Sequence, residues 1–174
     1  TGAGAAITEV KVTMNINHTW VGDVDVNLRA PNNAILNLVG ALDGGTGGNA
    51  TDNFTNTAFS SISTTPISGA AAPRTGTFAA EARAGFGPTG FIQTVNTWAG
   101  LVPTSASANG AWTLAMGDFA GGDAGTLTSW TIAVTSTVTT GVPSTPATWS
   151  PIAGLFINGG ANPYTGDARD TVWT

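Results

Sequence analysis

The chain contains no cysteine, one histidine, one lysine and one tyrosine. The lack of cysteine excludes a disulfide framework and thiolate chemistry, and with a single histidine it excludes a structural zinc shell as well. Charged residues make up only 9% of the 174 positions, against about 25% in an average soluble domain. The five bases, Lys11, Arg29, Arg74, Arg83 and Arg169, are scattered, and the net charge is -5. A basic patch for nucleic acid is therefore missing. There is also no apolar run of about 18 residues and no basic amphipathic helix, so nothing marks a membrane-inserted segment. No signal peptide is visible, and Thr1-Gly-Ala-Gly-Ala-Ala6 reads as a mid-chain or processed start.

Glycine, threonine, alanine, serine and asparagine stand where the charges would be. The chain is still 41% hydrophobic, and its apolar residues are periodic, so it reads as folded. Val10, Val12, Met14 and Ile16 alternate with Lys11, Thr13, Asn15 and Asn17, the pattern of a half-buried strand. Val24, Val26 and Leu28 alternate with Asp23, Asp25, Asn27 and Arg29. After the turn at Pro31-Asn32-Asn33 comes Ile35 to Val39. Further strands are expected at Phe54–Phe59, Ala111–Met116 and Leu127–Ser136. Residues 60–75 read as a surface loop, and Phe91 to Trp98 as a strand or a short helical turn. Strong helix signals are absent. Short strands at this spacing predict an all-β sandwich of about eight strands. The expected organisation is a sandwich over 1–138, a linker over 139–147, and a C-terminal extension or truncated Ig-like module over 148–174, a piece too small to bury a core alone.

His18 invites comparison with a hydrolase triad, but no Gly-x-Ser-x-Gly elbow accompanies it. Its expected role is to close a strand and bond locally. The acids carry the stronger site signal. Calcium takes roughly 6–8 oxygen ligands, and Asp43, Asp52, Glu81, Asp118 and Asp123 all fall in expected loops or beside glycine. They form the candidate structural Ca2+ set, with Asp43 and Asp52 in the 40–53 loop its centre. Asp123 and Asp23 also suit simple turn capping. No EF-hand spacing is present. Of six tryptophans, Trp112 and Trp130 are in phase with strand cores, Trp20 is expected over the sandwich edge, and Trp98 is the candidate for an exposed sugar-stacking ring. Asn17-His-Thr, Asn49-Ala-Thr and Asn53-Phe-Thr match the glycosylation sequon and mark surface only.

Several motifs then point to a family. They are His18-Thr-Trp-Val-Gly-Asp23, Leu28-Arg-Ala-Pro-Asn32, Asp52-Asn-Phe-Thr-Asn-Thr-Ala-Phe59, Ala72-Pro-Arg-Thr-Gly-Thr-Phe78, Asn109-Gly-Ala-Trp-Thr-Leu114 and Gly122-Asp-Ala-Gly-Thr-Leu-Thr-Ser-Trp130. In order and spacing the block from Ile7 to Thr135 resembles the P domain of kexin- and furin-like proprotein convertases, in its bacterial form. The stretch from Phe86 to Asn109 departs from it by being longer. From Trp149 the tail resembles the start of Trp-Ser-Pro-x-x-Gly-Leu Ig-like repeats of bacterial surface proteins. The resemblance implies a jelly-roll-like sandwich without catalytic residues, an accessory or interaction module of a secreted or cell-surface multidomain protein. Its expected partners are domains of the same polypeptide or surface ligands, with no nucleic acid and no membrane insertion, and a monomer is expected. An adhesion or carbohydrate-binding module is the alternative.

Overall fold

The computed structural model describes residues 5–40, 52–122 and 124–138, all within the first of two compact units, Thr1–Thr139. The expected linker and C-terminal piece lie outside the described residues, as do Asp43, Asp123, Asn49, Trp149 and Trp173.

Among the described residues seven strands form two facing sheets: β1 (Ala5–His18), β2 (Val24–Arg29), β3 (Ile35–Val39), β4 (Phe54–Ser60), β5 (Arg74–Phe78), β6 (Thr113–Asp118) and β7 (Gly125–Val138). The first sheet runs β5-β4-β1-β7 and the second β3-β2-β6. All pairings are antiparallel except β4 with β5, which is parallel. The fold is the expected all-β sandwich. The one α-helix among the described residues is a single turn, α1 (Trp98–Leu101), capped by Thr97, whose hydroxyl accepts the Gly100 N–H.

The alternation in β1 does what the sequence promises. Val10, Val12, Met14 and Ile16 are buried, while Lys11, Thr13 and Asn15 are half-exposed. The inward side chains meet Val24, Val26 and Leu28 of β2 and Leu36 and Leu38 of β3 in one core. Each fully buried apolar side chain of this size contributes roughly 1.5–3 kcal/mol. Phe59 and Phe78 close the core at the β4–β5 side, with ring centroids 6.5 Å apart at 52°.

Residues 61–73 form a mostly exposed loop that crosses from β4 to its parallel neighbour β5, with Ile67 as its fully buried anchor. Phe91 to Trp98, expected as a strand or a short helical turn, form neither along their length. Val95 makes a parallel bridge to Leu36, its N–H and that of Thr94 donate to Ile35 O, and α1 follows.

Candidate functional site

Two polar regions could carry chemistry: the corner around His18, and the outer face of the β3-β2-β6 sheet. His18 ends β1, and its imidazole is buried. The Trp20 N–H donates to Nδ1 at 3.0 Å. Nδ1 is therefore the accepting nitrogen, which assigns the ring hydrogen to Nε2. Nε2 donates to Asp118 Oδ2 at 3.3 Å. Asp118 Oδ1 accepts the Ala120 N–H, and the His18 N–H donates to Asn53 Oδ1 at 2.9 Å. The ring thus ties the end of β1 to the end of β6 and to the entry of the Val21–Asp23 3-10 turn, and the His18 backbone N–H ties it to the residue before β4. Gly125 of β7 packs so closely on it that a Cβ there would run into the ring. A nucleophilic triad needs a hydroxyl or thiol on the base. The ring's hydrogen bonds among the described residues go to Trp20 and Asp118 instead. The expectation that His18 closes a strand by local bonding describes its position well.

The outer face of β2 looked like the solvent side in the sequence. Asp25 and Asn27 are in fact buried, because the connection from 81 to 95 lies across them. Asn27 Nδ2 donates to Phe86 O at 2.8 Å and to Phe91 O at 2.6 Å. Its Oδ1 accepts from Asn37 Nδ2 at 2.7 Å. Asn37 Oδ1 takes the Arg83 N–H, and Asp25 Oδ2 takes the Gly87 N–H. Arg29 stacks on the Phe91 ring at 4.7 Å and Arg83 on Phe86 at 4.1 Å. Side-chain amides here do for the connection what a strand ladder would otherwise do. They satisfy backbone groups of an irregular segment that covers a sheet.

At the rim of this face the Glu81 carboxylate accepts the Gly40 N–H at 2.8 Å, and the Arg83 guanidinium donates to Gly40 O. Burial pushes the Glu81 pKa up, and the nearby Asp25 adds to the rise. The Gly40 N–H, Arg83 and Arg74 oppose it. Arg74 is itself buried inside the sandwich, and burial lowers its pKa against the pull of Glu81. Folding raises the Glu81 pKa, so the native chain holds that proton more tightly than the unfolded one. Its contribution to stability is complete below the ordinary value of 4.5 and is lost as pH climbs through the raised value. Glu81→Gln should therefore flatten the fall in stability between pH 4.5 and that raised value. Urea midpoints at a series of pH values check this, and identical slopes in the two proteins would contradict it.

The candidate calcium residues are dispersed. Glu81 is engaged by Gly40, Asp118 by His18 and Ala120, and Asp52 is exposed just before β4. Asp43 and Asp123 lie outside the described residues. Among the described residues no three acidic or histidine side chains gather as metal ligands. Arg83 and Arg74 already supply positive charge around Glu81. The described acids alone do not fit a calcium shell.

Trp20, Trp98, Trp112 and Trp130 are all half-buried. Trp98 packs against the core and is not the exposed ring expected of it. The exposed large apolar residues among those described are Ile62, Ile92 and Phe119, none of them a sugar-stacking indole. The Asn27–Asn37 pair and Arg74 were missed by the sequence reading. The one available signal was asparagine at matching positions of two adjacent expected strands.

Geometry and topology define the class first: a two-layered β-sandwich whose buried Asn27, Asn37 and His18 side chains bond within the fold. Residues 7–70, from β1 through β4 into the crossover, match the family model of the proprotein convertase P-domain. No curated protein and no solved structure matches the chain. In convertases the P domain is a non-catalytic accessory domain.

Proposed function

We propose that the sandwich is a non-catalytic accessory module of a secreted or cell-surface multidomain protein, and that it docks on and stabilises a neighbouring domain of the same polypeptide. The family match over residues 7–70 carries this reading. The bonding of His18 supports it, since the ring's hydrogen bonds go to a backbone N–H and a carboxylate and not to a nucleophile. The experiment is a comparison of the parent polypeptide with and without this sandwich. Loss of the sandwich should lower the neighbouring domain's melting temperature or shorten its half-life on heating. An unchanged neighbour would contradict the proposal.

Calcium belongs to the same reading in a narrower form. With Glu81 and Asp118 engaged elsewhere, it rests on Asp52 and the loop acid Asp43. Binding to the native state alone stabilises by about 2.7 kcal/mol at one hundred times the dissociation constant. That corresponds to a melting shift of about 5–10 °C for a domain of this size. Melting in millimolar calcium against excess EDTA should show this gap, and coincident curves would remove calcium from the account.

A further inference from the structure

Among the described residues the sandwich has four sheet edges, and three of them are protected. β5 has only five residues. β3 is covered by Thr94 and Val95, and β6 is a six-residue strand ending in Asp118. The fourth is β7, at the end of the β5-β4-β1-β7 sheet. It runs for 14 residues with no charge and no proline. Soluble proteins ordinarily blunt such an edge with lysine, proline or shortness. Here the outward positions Ser129, Thr131, Ala133 and Thr135 are small and exposed. The inward ones, Leu127, Trp130, Ile132 and Val134, touch the core yet stay only half-buried, as do Leu114 and Met116 on β6 opposite. A strand added to β7 would cover both rows.

We propose that this strand is β7 of a second copy, paired antiparallel about a twofold axis. The strand's own pattern argues for this occupant. An axis at Ile132 sets Trp130 against the partner's Val134 and Thr131 against the partner's Ala133. Apolar then meets apolar and small meets small from Thr128 to Ser136, as an isologous contact requires. Charge argues the same way. Each copy carries -5, and a neutral strand is where two like-charged chains can meet without repulsion. The joined sheet has eight strands, β5-β4-β1-β7 continued by its symmetry mate. This proposal stands against the expectation of a monomer, and the oligomeric state decides between them.

Sedimentation velocity of the full chain across a wide concentration range tests the proposal. A concentration-dependent dimer is expected. The paired substitutions Thr131→Glu and Ala133→Glu set like charges opposite each other across the twofold. Within one copy, position 133 faces Lys11, so the fold tolerates the new carboxylate there. The dimer dissociation constant should rise by about tenfold or more, with the far-UV dichroism unchanged. A chain that stays monomeric at every concentration would overturn the proposal. So would a dimer that the paired substitutions leave intact.

Discussion

Phe59→Ala should lower the unfolding free energy by about 3–5 kcal/mol, a large share of the 5–15 kcal/mol that holds a domain together. Phe59 is fully buried, lies opposite Val12 on β1 and stacks on Phe78. The substitution removes the ring's transfer energy, leaves a cavity between the sheets, and deletes an aromatic pair worth about 0.5–1.5 kcal/mol. β5 depends on β4 through one short parallel ladder, so its protection should fall furthest. Urea unfolding with native-state hydrogen exchange measures both effects. A loss under about 1 kcal/mol would mean the core is not closed at this side.

Gly87→Ala is the second large effect, and it tests the covered face of β2. Gly87 sits at φ +132°, and a Cβ there would collide with Asn27 Nδ2 and Phe91 O, the two groups that hydrogen-bond to each other under the connection. The backbone cannot relax to a negative φ without withdrawing the Gly87 N–H from Asp25. Strain plus stranded buried polar groups should cost about 2–4 kcal/mol. Exchange should quicken at the Gly87, Phe91, Gln93 and Thr94 amides before the rest of the sandwich responds. If those amides keep their protection, the connection is not held by the asparagine network.

The sequence made the strands legible where burial alternates and left the rest obscure for physical reasons. Val10 to Ile16 announced β1 because one face of it is apolar and the other polar. β2 announced itself in the same way, yet its polar row was misread. A period of two says that the faces differ, and says nothing of what covers either. Only the fold brings Phe86 and Phe91 over Asn27, about sixty residues earlier in the chain. β5 escaped notice because Arg74-Thr-Gly-Thr-Phe78 has a glycine at its centre and a buried arginine at its start. His18 was legible as a strand end, but its partner Asp118 stands 100 residues away. Glu81 and Asp118 looked alike as loop acids. The fold gives one to a backbone N–H beside two arginines and the other to a buried imidazole.

We propose that the contact between the buried His18 ring and the more exposed Asp118 carboxylate is structural and that the sandwich does no chemistry. The most direct measurement sets wild type beside His18→Ala in assays with chromogenic ester and peptide substrates, together with melting curves. No turnover is expected in either protein, with a lower melting temperature for the variant, because the Trp20 N–H and Asp118 lose the ring that bonds them both. Turnover by the wild type that disappears in His18→Ala would contradict it.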